Sequence, residues 1–304
     1  MGEASLIRQH QLRFHEGEQV STEKKEGWKS CEQSSQRTIE FGEYKVSITE
    51  SEEYKLVRGD TVIATFSKAK MEEDRILFPL GLGVMLEVSK DGIKEIFTPE
   101  KAELCGLIAS EGSLPSQRGH YRIFFHSADI ELIKRFNELF EKVYGKVPNI
   151  YKGKGELIAG IANKEAYYDL KEIGAKTGPY RYHVPLEHLD KEGLRAYLRG
   201  FFSGDGSVAK HGKYAIKLRI SSKYKDCLEE VREALVRLGF NPSEVRTDRT
   251  YDAHYLEIYS KEQMRFIEEI GSCKPSHIER FKRFQKAYKE GKVRRGRIKK
   301  RKEE

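Results

Sequence analysis

A nine-residue pattern occurs twice in this chain, and it constrains the fold more than any other feature. Residues 104–112 read LCGLIASEG, and residues 198–206 read LRGFFSGDG. Each copy has Leu first, Gly third, apolar residues fourth and fifth, and an acid before a closing Gly. The acids are Glu111 and Asp205. Two helices that end alike predict a two-fold arrangement in which two carboxylates meet at a metal site.

The repeat extends beyond these motifs. Residues 163–174 read NKEAYYDLKEIG and residues 260–271 read SKEQMRFIEEIG, and the two segments follow their motifs at nearly equal distances. The period is longer than that of solenoid repeats, so duplication of a small domain is the better interpretation. Hydrophobic periodicity predicts the order α-β-β-α-β-β-α in each copy, provided that a weak first strand follows each motif.

The two copies resemble the LAGLIDADG family of homing endonucleases, whose name spells the motif. The glycines, the apolar positions and the final acid match, whereas Ala109 and Ser203 replace an earlier acid that is not the metal-binding one. The likeness covers roughly residues 98–285. It implies an α+β fold, namely a pseudo-two-fold duplicated αββαββα core with a β-sheet saddle that binds DNA. A small β-rich N-terminal domain precedes this core.

The resemblance implies a site-specific endonuclease that makes a staggered cut in both DNA strands. Glu111 and Asp205 are expected to be catalytic and to bind Mg²⁺, or Mn²⁺ as a substitute, together with water and nearby backbone carbonyls. Two carboxylates at helix C-termini are disfavoured by the helix dipoles and by each other, and a divalent cation relieves both effects. The family also places a basic residue near each catalytic centre. That residue is expected to be Lys274 in the second half and Arg181, or alternatively Lys176, in the first half.

The strands supply the predicted DNA surface. In residues 213–221 apolar and charged positions alternate, so one face packs on helices and the other is charged. In the first copy Arg122, Phe124 and His126 share one face. A sheet in the major groove reads base edges, and Arg and Lys favour guanine. The predicted DNA contacts are Arg122, His126, Lys152, Lys154, Lys213, Lys217, Arg219 and Arg246.

Charge is distributed unevenly along the 304 residues. The net charge of +8 is the sum of −4 in residues 1–97, +2 in residues 98–273 and +10 in residues 274–304. A basic end attracts phosphate without reading sequence. The predicted domains are a flexible arm (1–38), a small β-rich domain of unknown role (39–97), the duplicated core (98–285, with halves 98–189 and 190–285) and a basic tail (286–304).

Several other classes of protein are excluded by the sequence. No apolar run approaches the roughly 20 residues that span a membrane, and no apolar signal core follows Met1. The four cysteines are scattered without a C-x-x-C pair, which argues against zinc and disulfides. The sequence contains no P-loop motif, so nucleotide hydrolysis is unsupported. The two ends lack the residues that an intein needs for splicing, so we expect a free-standing cytoplasmic protein.

The expected partner is duplex DNA. Because one polypeptide contains both motifs, we expect a monomer that binds a long, imperfectly palindromic site, with intron homing as the implied biological role. Two alternatives stay open, namely a maturase that binds intron RNA and a catalytically inactive DNA-binding regulator on the same fold. Retention of both acids argues against the inactive form.

Overall fold

The computed structural model describes residues 37–49, 53–117 and 120–293. Most of the predicted flexible arm and of the predicted basic tail lies outside these residues. The chain divides into two compact units, Met1–Thr98 and Pro99–Glu304. Within the described residues, none of the helices combines the length and apolar character needed to cross a membrane.

The first unit consists of two four-stranded antiparallel meanders. Phe66 and Phe78 stack between the two sheets with ring centroids 4.3 Å apart, and they form part of a shared apolar core. The strands are β1 (Arg37–Phe41), β2 (Tyr44–Ile48), β3 (Tyr54–Arg58), β4 (Thr61–Phe66), β5 (Lys70–Met71), β6 (Arg75–Gly81), β7 (Val84–Ser89) and β8 (Gly92–Phe97). A turn separates β6 from β7, where Leu82 and Gly83 adopt positive φ values of 48° and 70°.

The second unit contains the duplication, and its element order confirms the predicted α-β-β-α-β-β-α pattern. The weak strand after the first motif is split into two short pieces, β9 and β10. The first half comprises α1 (Pro99–Glu111), β9 (Gly112–Ser113), β10 (Ser116–Gln117), β11 (His120–Ser127), α2 (Ile130–Tyr144), β12 (Asn149–Lys152), β13 (Leu157–Ala162) and α3 (Lys164–Glu172). The second half comprises α4 (Lys191–Asp205), β14 (Gly206–His211), β15 (Ala215–Ser222), α5 (Lys225–Arg237), β16 (Arg246–Asp248), β17 (Ala253–Ile258) and α6 (Gln263–Glu269), and α7 (Pro275–Lys289) follows it.

Each half of the duplication contains one sheet, and we call these the first sheet (β9–β13) and the second sheet (β14–β17). The two have the same strand order and the same register. β11 lies between β13 and the short strands β9 and β10, and β15 lies between β17 and β14. Ser113 opposes Phe124, and Ser207 opposes Arg219. Each of these serines follows the glycine that closes its motif. Phe124 and Arg219 therefore occupy equivalent positions in the two halves.

The motif helices α1 and α4 pack backbone to backbone. A Cβ atom added to Gly106 would lie 2.1 Å from the carbonyl oxygen of Tyr197. Reciprocally, a Cβ atom added to Gly200 would lie 2.2 Å from the carbonyl oxygen of Glu103. The backbones of the two helices are therefore in direct contact at both glycines. The motif glycines thus allow the close approach of the two helices.

A buried carboxylate links the two halves. Glu103 of α1 is 1% exposed and accepts bonds of 2.7 and 2.9 Å from the guanidinium of Arg135. From the second half it accepts bonds of 3.2 Å from Arg199 Nη1 and 3.2 Å from Cys273 Sγ. Burial raises the pKa of Glu103, but the bonds from the two arginines and Cys273 outweigh this effect and hold the pKa below its usual range. The carboxylate is therefore charged, and it needs partners from both halves.

Candidate active site and nucleic-acid surface

Each motif acid is the last residue of its helix, and a strand begins at the next residue. The sequence pattern suggests a glycine that ends the helix, but Gly206 has φ −79° and ψ 154°, which is ordinary extended backbone. Glycine is required for another reason, because a Cβ atom there would lie 2.2 Å from the carbonyl oxygen of Phe202. A Cβ atom at Gly112 would similarly lie 2.6 Å from the Cα atom of Ile108. The two glycines thus let the backbone turn tightly from helix into strand directly after each acid.

The two acids are brought together, as predicted. A Cβ atom on Gly204 would lie 2.8 Å from Cγ of Glu111, so the end of α1 touches the residue before Asp205. Burial raises the pKa of Asp205 to about 7, and the negative charge of Glu111 contributes to this rise. Burial likewise raises the pKa of Glu111. A cation between these two carboxyl groups would favour their ionised forms, so the pair is suited to binding one.

Two lysines place positive charge beside this pair. Lys176 is 9% exposed, and its Nζ donates to the carbonyl oxygens of Ala109 at 2.8 Å and Ser110 at 3.3 Å, where it caps α1. Burial lowers the pKa of Lys176, although the charges of both acids oppose this effect. Lys274, which immediately precedes α7, also acts on both acids, and its charge opposes the rise that burial causes in their pKa values. Lys274, which the prediction named for the second half, and Lys176, the alternative for the first half, therefore both place charge beside the two acids.

Arg181, the other candidate for the basic residue of the first half, points away from the two acids. Its guanidinium donates to Asp226 and lies 4.4 Å from the ring centroid of Tyr224. A tight turn at residues 178–181, in which Tyr180 has a positive φ of 62°, diverts the chain after Lys176. Of the two candidates for the first half, Lys176 and not Arg181 therefore acts on the acids.

A hydrogen-bond network fixes the start of α7 to the end of α4. The Oγ atom of Ser203 accepts a bond of 2.8 Å from the Cys273 amide and lies 3.1 Å from Oγ of Ser272. Ser272 Oγ also lies 3.0 Å from Nδ1 of His277. His277 is 4% exposed, and burial lowers its pKa to about 4, so the imidazole is neutral. These side chains hold Lys274 in place, and the sequence pattern identified none of them in this role.

The donor set of this site fits Mg²⁺ better than Zn²⁺. In the described part of the chain, no group of three or more His, Cys, Asp and Glu side chains is arranged to hold a metal. Zinc sites need three or four such ligands, whereas Mg²⁺ is commonly bound by one or two carboxylates, water and substrate phosphates. The carbonyls of Ala109 and Ser110, which lie next to Glu111, accept bonds from Lys176. Glu111 and Asp205 are therefore the side chains of this site that could hold such a cation.

In the second sheet, the predicted alternation of β15 is observed. The apolar residues Ile216, Leu218 and Ile220 are buried, and the basic residues lie on the opposite face. On that face Lys217 Nζ lies 2.7 Å from a Glu257 oxygen, and the Arg219 guanidinium lies 3.1 Å from the same oxygen. The basic side chains on this face are therefore held in place by a neighbouring acid.

The other predicted DNA contacts lie on the surface. His126 pairs with Glu156 at 3.2 Å. Lys213 precedes β15 instead of opening it, because the strand begins at Ala215, and its Nζ lies 5.2 Å from the ring centroid of Tyr214. The remaining predicted contacts are exposed, namely Arg122, Lys152, Lys154 and Arg246.

Two family models match the second unit. Residues 192–271 match the LAGLIDADG-like domain, and residues 100–183 match the WhiA LAGLIDADG-like domain. The two models match one half of the duplication each, and together they cover more than half of the chain.

Several curated proteins share part of this sequence. A glutamine–fructose-6-phosphate aminotransferase of Methanocaldococcus jannaschii is 27% identical over 147 residues, which are 47% of this chain and 13% of the relative. A DNA polymerase of Thermococcus kodakarensis is 25% identical over 243 residues, 73% of this chain and 13% of the relative. The probable cell division protein WhiA of Ligilactobacillus salivarius is 28% identical over 160 residues, 48% of this chain and 49% of the relative. The chain spans only a fraction of each relative's length.

Solved structures with a similar fold include two kinds of protein. The homing endonuclease I-DmoI, in a complex with DNA and Ca, is 20% identical, with 60% of this chain and 96% of that chain covered and a TM-score of 0.48. Full-length WhiA from Thermatoga maritima is 20% identical, with 66% and 62% covered and a TM-score of 0.45.

Proposed function

This chain belongs to the LAGLIDADG family, and we propose that it is a site-specific endonuclease that cleaves both strands of duplex DNA with a divalent metal. The observation that carries this proposal is the meeting of Glu111 and Asp205 at the ends of two paired helices. Each half also contributes one lysine, Lys176 or Lys274, to the same site. A duplicated acid and a duplicated cation suit a substrate with two equivalent scissile phosphates.

The chain's own groups have distinct tasks in this reaction. Glu111 and Asp205 would hold Mg²⁺, which neutralises non-bridging phosphate oxygens and makes a bound water more acidic. The carboxylates must ionise to do so, and the charges of Lys176 and Lys274 favour ionisation. The Nζ of Lys176 is fixed by two carbonyl oxygens, so it presents a stationary charge that stabilises the transition state. The exposed faces of the two sheets would bind the duplex.

Cleavage of a randomised duplex library tests this proposal. With Mg²⁺ the protein should cut a small set of related sequences on both strands, and EDTA should abolish cutting. Asp205→Asn and Glu111→Gln should each lose double-strand cleavage and keep DNA binding. Glu233→Gln, which changes an exposed acid on α5, is the matched control and should cleave normally. Unchanged cleavage by either site variant would refute the assigned roles.

A second candidate function is DNA binding without cleavage. It is favoured by the match of residues 100–183 to the WhiA LAGLIDADG-like domain. Both acids and both lysines are present here, which supports the nuclease. Sequence-selective binding with no Mg²⁺-dependent cutting would favour the second candidate. Intron RNA in a parallel reaction tests the maturase alternative, and light scattering of the DNA complex tests our proposal that one chain binds one duplex.

A further inference from the structure

The two sheets carry different chemistry at equivalent positions. Phe124 and Arg219 are equivalent by register, as described above. On the next strand Phe124 pairs with Gly160, whereas Arg219 pairs with Glu257. An aromatic ring beside a glycine in one half is thus replaced by an ion pair in the other.

The difference continues on the outer strands. Ile158 lies two positions before Gly160, the partner of Phe124, and Tyr255 lies two positions before Glu257, the partner of Arg219. Ile158 and Tyr255 are therefore equivalent. Tyr151 opposes Ile158, and Arg246 opposes Tyr255. Tyr151 and Arg246 are therefore equivalent as well. Three neighbouring positions on one exposed face have changed from uncharged to charged between the halves.

The first sheet presents an aromatic surface. A Cβ atom on Gly160 would lie 2.7 Å from Cδ1 of Phe124 and 3.1 Å from Cε2 of Tyr151. The two rings therefore lie across the bare backbone of Gly160, and a larger residue there would have to displace the Phe124 ring. Tyr151 remains 49% exposed. This surface offers apolar contact and no fixed charge at its centre.

The second sheet presents an oriented guanidinium. The Arg219 guanidinium lies 3.9 Å from the ring centroid of Tyr255 and 3.5 Å from Asp248. Its Nη2 donates to Glu257 at 3.1 Å, which engages one of five N–H donors. The aromatic ring and the two acids fix the plane of the guanidinium. Because Nη1 faces Asp248 and Nη2 donates to Glu257, three of the five N–H donors have no hydrogen-bond partner among the described residues and can meet a ligand. A planar fork of this kind matches the O6 and N7 acceptors of guanine.

From this difference we infer that the two half-sites of the recognised duplex have opposite chemistry. The half-site on the first sheet presents thymine methyl groups to the rings of Phe124 and Tyr151, because aromatic rings make apolar contact with that methyl group and lack the planar fork that pairs with guanine. The half-site on the second sheet presents guanine to Arg219. This inference rests on the proposed function, since it assumes that the sheets bind duplex DNA.

Selection of bound sequences from a randomised duplex library tests the inference. The Asp205→Asn protein is used so that the library stays intact. The expected consensus is rich in thymine in one half and contains guanine in the other. Replacing guanine at the Arg219 position should weaken binding by about 5- to 150-fold, the factor that 1–3 kcal/mol of base discrimination represents.

Transplanting the first half's chemistry into the second is the sharpest variant. Arg219→Phe with Glu257→Gly should move the preference of that half from guanine to thymine and leave the other half unchanged. Arg219→Lys, which keeps the charge but loses the fork, should bind with similar affinity and less preference for guanine. Arg237→Ala with Glu233→Ala, which removes an exposed ion pair from α5, is the control and should keep the parent consensus.

The outcomes separate this inference from the proposed function. Enrichment of the same bases in both halves, or a transplant that leaves the consensus unchanged, would overturn the inference and leave DNA recognition standing. The absence of any enriched sequence would overturn both. Thermal unfolding of each variant confirms that the fold is retained, as expected for changes on an exposed face.

Discussion

Asp205→Asn should make the metal-free protein more stable at alkaline pH, although it removes an active-site residue. The pKa of Asp205 lies at about 7 in the folded protein, against an ordinary value near 3.8. A raised pKa means that the folded state binds the proton more tightly than the unfolded state does. The stability contributed by this proton is fully present below the unfolded pKa and is lost as pH rises through the folded pKa. An amide cannot ionise, so the variant avoids this loss.

The size of the effect follows from the two pKa values. Their separation corresponds to at most about 4 kcal/mol, at 1.36 kcal/mol for each pKa unit. Asp205 is half-buried as a residue, so solvent screens part of the repulsion. We therefore expect the stability advantage of Asp205→Asn to grow by about 1–3 kcal/mol between pH 4.5 and pH 8.

Urea unfolding of the parent and the variant at several pH values in EDTA measures this advantage. Adding Mg²⁺ at pH 8 should stabilise the parent more than the variant, because a ligand that binds only the folded state stabilises it. Glu233→Gln, with its exposed carboxylate, should show no comparable pH dependence. A stability difference that stayed constant between pH 4.5 and pH 8, or a less stable Asp205→Asn protein at pH 8, would refute the reasoning.

Three further predictions concern the core and the lysines. Gly106→Ala should destabilise the protein by about 3 kcal/mol or more in urea unfolding, because the new methyl group meets the Tyr197 carbonyl at 2.1 Å; a loss below 1 kcal/mol would contradict the close packing. Glu103→Gln should cost about 3–5 kcal/mol, because it breaks a buried ion pair by removing the charge of one partner, and a neutral result in thermal or urea unfolding would show that the network is not needed. Lys176→Met should lower the rate of cleavage and move the rise of the pH–rate profile to higher pH, because the acids lose a cation that favours their ionisation; Arg181→Met, the matched control, should leave that profile unchanged.

The repeated motif made much of the site predictable. The positions of the glycines in the motif already require close packing, and the terminal acids must then lie side by side. Alternation in residues 215–222 likewise determines which face of the strand is buried, because side chains in a strand point to opposite sides in turn. In both cases local chemistry and a short-range pattern are sufficient.

Other features depend on contacts that no local pattern contains. Lys176 and Arg181 are both basic residues after the same helix, and only the turn with Tyr180 at positive φ decides which of them reaches the acids. His277 is buried because α7 packs on the end of α4, a tertiary contact between elements with no repeated signature. The sequence therefore offers Lys176 and Arg181 as alternatives for the first half, and only the tertiary structure decides between them.

The ion cluster around Glu103 has a consequence for the history and engineering of the chain. The motif copies align Glu103 with Tyr197, and Arg199 with Cys105. Two first halves paired as a homodimer would each bury a Glu103 carboxylate opposite a thiol instead of the Arg199 guanidinium. Two second halves would contain the arginine without its acid. The halves are therefore complementary at this cluster, and fragments of this chain should reassemble preferentially as unlike pairs, although Glu103 keeps its bonds from Arg135 in either pairing.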